Sequence, residues 1–130
     1  MTTREEISVE GLAEPISHYC HAVRYGDLLF VSGCAPFDDD GNVVAPGDVV
    51  GQTEFVLEQM GQILAAAGGS FADVLKVTVF LTDVADRQTI NPVRQKYFGD
   101  ARPASTLIGV TELAVPGMLV EIEAVAGLPA

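Results

Sequence analysis

The chain has 130 residues, 48% of them hydrophobic, and a formal net charge of −11. That length suits one packed domain burying roughly two thirds of its unfolded surface. Its seven cationic side chains are Arg4, Arg24, Lys76, Arg87, Arg94, Lys96 and Arg102; a polyanion would be repelled, and no basic stripe offers counterion release, which argues against nucleic-acid binding.

No apolar run approaches the ~20 residues that span a bilayer, so a membrane protein is not expected. The start, Met1-Thr2-Thr3-Arg4-Glu5-Glu6, lacks the basic and apolar stretches of a secretory signal, and a cytoplasmic location is the expectation. Thiols stay reduced there. Cys20 and Cys34, in neither Cys-x-x-Cys nor metal-ligand spacing, are expected as buried free thiols.

Residues 1–14 read as a lead-in with an edge strand around Ile7 to Val9. Cys20 to Arg24 and Leu28 to Gly33 read as strands about a Tyr25-Gly26-Asp27 turn. Asp38-Asp39-Asp40-Gly41-Asn42 reads as a solvated loop; a cation site is the weaker alternative, since the calcium-loop spacing is missing. From Asp48 to Ala67, Val49, Thr53, Val56, Met60, Ile63, Leu64 and Ala67 recur at helical steps, with Asp48 as N-cap and Gly68-Gly69 as the stop.

Val74 to Thr82 is β-prone, with Leu75, Val77, Val79 and Leu81 on one face and Lys76, Thr78 and Phe80 on the other. Lys76 reads as a snorkelling edge residue, less readily as a substrate cation. A second helix is expected within Asp86 to Phe98, with Ile90, Val93 and Tyr97 on one side. Its regular part should begin near Asn91 or Pro92, because proline suits a first turn. Strands at 105–111 and 118–126 follow, split by Ala114-Val115-Pro116-Gly117.

The β-β-α-β-α-β-β order predicts one α+β domain over residues 1–130, a sheet with two helices on one face. The opposite face still carries Phe30, Phe80, Leu107, Leu119 and Val125, which need covering. A second copy of the sheet would do it, so a homo-oligomer is expected.

Alternation in the last strand sets Leu119, Glu121, Glu123 and Val125 opposite the core-facing Met118, Val120, Ile122, Ala124 and Ala126. A partly buried carboxylate there would have a raised pKa and suit the activation of water; the alternative is two solvated acids. His18 and His21 lack a third ligand, so no metal site is expected; structural roles are the commoner outcome for such residues and a general base the rarer. Phe30-Val31-Ser32-Gly33 ends a strand where a hydroxyl and backbone amides can face a ligand. The chain has no Gly-x-Ser-x-Gly elbow, P-loop or dinucleotide fingerprint.

Several segments carry a family resemblance in their order and spacing: Leu29-Phe30-Val31-Ser32-Gly33, Val74-Leu75-Lys76-Val77-Thr78-Val79-Phe80-Leu81, Asn91 with Tyr97-Phe98, Arg102-Pro103-Ala104, and Val120-Glu121-Ile122-Glu123-Ala124-Val125-Ala126. Over nearly its whole length the chain resembles the RidA/YjgF/YER057c/UK114 family of small imine and enamine deaminases. The resemblance implies a chorismate-mutase-like fold and a homotrimer around a central β-barrel, with small-molecule clefts between subunits. It also implies hydrolysis with no metal or organic cofactor, in which water attacks the C=N carbon of a 2-imino acid and ammonia leaves. Carried over by position, Glu121 orients the water, Tyr19 and Ser32 line the cleft, and Asn91 is a packing residue.

Family members hold the substrate carboxylate with an Arg directly after the Pro-Ala pair, where this chain has Ser105. A hydroxyl supplies one neutral donor in place of a bidentate charged pair, a loss on the order of 2–5 kcal/mol. Arg102, three residues earlier, and Arg24 are the candidate replacements. The resemblance thus implies a hydrolase of altered specificity; the alternatives are a trimer that binds a metabolite or partner without catalysis, or a scaffold turned to a biosynthetic imine reaction.

Overall fold

β1 (Arg4–Ile7) pairs with β2 (Ala22–Tyr25), which forms a hairpin with β3 (Leu28–Cys34) in a computed structural model describing residues 2–129. Gly26, in the two-residue loop of that hairpin, takes a left-handed φ of 63°, which glycine adopts without strain. α1 (Val49–Ala66), β4 (Val74–Leu81), α2 (Arg87–Phe98), β5 (Ala104–Gly109) and β6 (Val120–Gly127) follow. One six-stranded sheet results, in the order β1-β2-β3-β6-β4-β5. It is antiparallel except for β4 and β5, whose parallel pairing requires the crossover that α2 supplies.

The expected helix period is the one observed in α1. The Asp48 carboxylate accepts from the Gly51 N–H at 3.0 Å, and Gly69 N–H closes the far end on the Leu64 carbonyl at 2.8 Å. Val56, Leu57, Met60, Ile63 and Leu64 pack with Leu29, Val31, Val77, Val79, Ile122 and Ala124 of the sheet. Ile90, Val93 and Phe98 of α2 join the same core, so both helices cover one face. No helix among the described residues is long and apolar enough to cross a membrane.

Several boundaries and faces depart from the sequence reading. β1 stops at Ile7, and the Val9 N–H instead donates to Nδ1 of His21 at 2.9 Å. β2 starts at Ala22, leaving His21 just outside it; the Cys20 carbonyl is taken by the Ser32 hydroxyl at 2.6 Å. α2 is already regular at Arg87 and keeps Pro92 inside it. The preceding turn, Val84–Asp86, is capped by the Asp83 carboxylate on the Ala85 N–H at 2.9 Å and starts the winding early. Pro92 then forgoes only the bond to Gln88, close to the exposed helix start.

Leu75 is not a core residue. The register slips between Val74 and Lys76, so Val74 takes the buried place and Leu75 is 52% exposed. Leu107 lies opposite Val79 and packs on the helix side, where Leu119 also meets the core. The uncovered face is nonetheless apolar: Tyr25, Leu28, Phe30, Leu75 and Ile108 are each 40% exposed or more. Cys20 and Cys34 are free thiols, Cys34 buried and Cys20 half-buried. The 38–42 segment is a solvated turn in which Asp38 Oδ1 accepts from the N–H groups of Asp40 and Asn42.

Candidate active site

β3 spends three steps, from Val31 to Cys34, against two on β6, from Ala124 to Ile122. The additional residue makes a bulge at Ser32-Gly33. It returns Cys34 to the core and lays Gly33 beneath Glu121, so closely that a β-carbon on Gly33 would collide with the carboxylate. Ser32 fixes the bulge by donating its N–H to the His21 carbonyl at 3.0 Å and its hydroxyl to the Cys20 carbonyl. A cavity of about 320 Å³ opens there, lined by Ile16, Ser17, Tyr19, Ser32, Gly33, Ala114 and Glu121.

Glu121 is half-buried on the uncovered face, and Glu123 is exposed beside it. Burial, and secondarily the charge of Glu123, raises the Glu121 pKa above the ordinary carboxylate value. Burial, with a smaller contribution from Glu121, pushes the Cys34 thiol up to about 12. The start of β6 is pinned from behind by Gln52, fully buried on α1. Its Nε2 donates to the Gly117 carbonyl at 3.0 Å and its Oε1 accepts from the Leu119 N–H at 2.8 Å.

His21 has both ring nitrogens occupied: Nδ1 by the Val9 N–H, and Nε2 on the Ala13 carbonyl at 3.0 Å. Those partners specify a neutral ring with its proton on Nε2, a structural role. His18 is exposed. No group of three or more His, Cys, Asp or Glu among the described residues is arranged to hold a metal ion.

A second cluster lies on the helix side. Ser105, opposite Val77 in the β4–β5 pair, accepts a hydrogen bond at its Oγ from Nη2 of Arg94 at 3.0 Å. Arg94 is half-buried, and burial lowers its pKa. Ser105 and Arg94 border a cavity of about 430 Å³ with Arg87, Gln88, Asn91 and Leu107.

The family described as Endoribonuclease L-PSP matches residues 11–128. A 3-aminoacrylate deaminase RutC of Acinetobacter baylyi is 41% identical over 95% of this chain and 97% of its own. A RutC family protein of Pyrococcus horikoshii is likewise 41% identical, over the same shares. The crystal structure of RidA from a Psychrobacter species superposes with a TM-score of 0.88 at 31% identity, covering 95% of this chain and 99% of that one. The chain belongs to the RidA/YjgF/YER057c/UK114 family.

Of the residues that the RidA pattern marks, the fold brings Glu121, Tyr19 and Ser32 into one cavity. Asn91 and Ser105 share the other. Glu121 pairs with Phe80 on the uncovered face, whereas Ser105 pairs with Val77 on the helix side. Within the chain the sheet therefore separates them. Arg102 is exposed in the loop before β5, and Arg24 donates Nε to the Gly26 carbonyl of its own hairpin at 3.0 Å. Neither lines either cavity. Sequence reasoning missed Arg94, Gly33 as the seat of the carboxylate, and Gln52. Two of them left a signal: Gly33 interrupts a strand pattern, the mark of a bulge, and Arg94 lies three residues after Asn91 on one helix, hence on the same face.

Proposed function

We propose that this chain is an imine or enamine deaminase of the RidA type, working as a homotrimer with clefts between subunits. The observation that carries the reading is the half-buried Glu121 carboxylate seated over Gly33, in one cavity with Tyr19 and Ser32. Glu121 accepts a proton from a water molecule as its oxygen adds to the C=N carbon of the substrate. Both water protons end on the nitrogen, ammonia leaves as the C–N bond breaks, and the water's oxygen becomes the product's carbonyl oxygen. An enamine enters the same path once its carbon is protonated to give the imine. The raised pKa of Glu121 suits a group that accepts and returns a proton.

Identity of 41% with a 3-aminoacrylate deaminase supports this chemistry. Two further observations support the assembly. The marked residues fall into two clusters on opposite sides of one sheet, as expected of a cleft completed by a neighbour. The uncovered face also carries enough exposed apolar side chains to need a partner.

The test is ammonia release from imines generated in situ by an amino-acid oxidase or a serine/threonine dehydratase. Glu121→Ala should lower the rate about a hundredfold or more. No turnover of any imine by the parent protein, or an unchanged rate in Glu121→Ala, overturns the enzyme reading. Light scattering checks the trimer, and a single species near 13.7 kDa, the mass of one chain, refutes it.

A further inference from the structure

We infer that Arg94, projecting from α2 onto Ser105, is the residue that binds the carboxylate of an anionic substrate in this protein. The inference deepens the deaminase reading by naming what holds the substrate's acidic end. It rests on three features of the second cavity.

The first is geometry. Arg94 reaches the Ser105 hydroxyl at 3.0 Å, so a guanidinium sits beside the β5 position where the family pattern places its arginine. The cation comes from the helix instead of the strand. Ser105 accepts from Arg94 and so keeps its own O–H free to donate. A carboxylate placed there receives one hydroxyl proton and as many as two guanidinium N–H groups, and planar bidentate pairing is what arginine does best.

The second is an unbalanced charge. Among the described residues the ion pair formed is Arg4–Glu6, at 2.7 Å, and Arg94 has no carboxylate partner. A partly desolvated guanidinium facing only a hydroxyl gains more from an anion than a fully hydrated one does. The third is local sign. In a chain of net charge −11, this cavity is lined by two arginines, Arg87 and Arg94, and by no acidic residue. Of the other cations, Lys76 donates to Thr106 at 2.6 Å on the uncovered face, Arg24 to the Gly26 carbonyl of a distant hairpin, and Lys96 lies 5.5 Å from the Tyr97 ring.

The experiment titrates the assembled wild-type protein with 2-oxobutanoate, a product-type anion, and follows binding by calorimetry or NMR. The neutral 2-oxobutanamide serves as the control. Arg94→Gln should weaken 2-oxobutanoate binding about thirtyfold or more and leave binding of the amide unchanged. Arg94→Lys, which keeps the charge and loses the fork, should fall between the two. Arg94→Gln combined with Ser105→Arg, which returns the guanidinium to the strand, should recover affinity. Equal binding by wild type and Arg94→Gln, or no preference of the wild type for the acid over the amide, overturns the inference. Turnover is read separately, as ammonia release from imines generated in situ. Arg94-dependent binding without ammonia release supports the anion site while refuting the deaminase.

Discussion

The carboxylate of Glu121 rests directly on Gly33, and the absence of a side chain at that one position makes room for it. A glycine elsewhere in a strand costs stability by its freedom; here the cost yields a recess in which a carboxylate is half-removed from water. Gly33→Ala should push the carboxylate out of register. We expect deaminase activity to fall about tenfold or more, with a stability loss of about 1–3 kcal/mol from overpacking. Steady-state kinetics and a denaturant titration on the same variant measure both, and parental activity in Gly33→Ala would contradict the geometry.

The pH dependence has a definite sign. The folded-state pKa of Glu121 lies above its unfolded value, because burial disfavours the charge. Activity that needs the ionised carboxylate should therefore decline, as pH falls, at a pH above the ordinary carboxylate value of about 4.3. Stability runs the other way: the charged group destabilises the fold above its folded pKa, and that penalty disappears as pH drops towards the unfolded pKa. Glu121→Gln should be inactive, more stable than the parent at neutral pH, and no longer favoured below the ordinary carboxylate range. Melting temperatures across pH 4 to 8 would show the two curves converging.

Gln52 links α1 to the entry of β6 through bonds to Gly117 and Leu119, 65 and 67 residues away in sequence. Gln52→Leu keeps the volume and removes both, leaving a partly buried carbonyl and a partly buried N–H without this partner. We expect a loss of about 2–4 kcal/mol, read as a shifted urea midpoint. Protection of the Leu119 amide from hydrogen exchange should fall with it. A variant as stable as the parent would show that water replaces the amide without loss.

Phe30 stands 48% exposed on the uncovered face, paired across strands with Val23 and Val125. A charge there would be harmless in a free-standing chain and disruptive inside a contact between copies. Phe30→Asp should shift the light-scattering mass towards 13.7 kDa while leaving the far-ultraviolet spectrum intact. An unchanged mass would mean that this face is not where copies meet.

Much of the fold was legible because it follows from local periods. The helix step in α1 and the alternation in β6 assign inside and outside, and the β6 assignment holds from Val120 to Ala126, whereas Leu119, just before the strand, packs against the core instead of the uncovered face. What was not legible depends on register. The slip between Val74 and Lys76 sends Leu75 outward, and the parallel pairing of β5 with β4 puts Leu107 and Ser105 on the helix side. Neither leaves a mark in local composition. Glu121 and Ser32 were identifiable from their strands, yet that Glu121 and Ser105 lie on opposite faces could not be read from either segment alone. Arg94 escaped for the same reason: its partner is eleven residues away, across the turn into β5.

The bulge at Ser32-Gly33 has a further consequence for how this sheet could have acquired a site. Val31 and Cys34 both face the core, although an odd number of steps separates them. Deleting one of the two residues between them would restore strict alternation along β3, so a version one residue shorter would pair its strands without interruption. The recess beneath Glu121 would close. A single inserted residue is thus the difference between a sheet that only folds and a sheet that also holds an acid ready, and the two properties can be gained or lost independently.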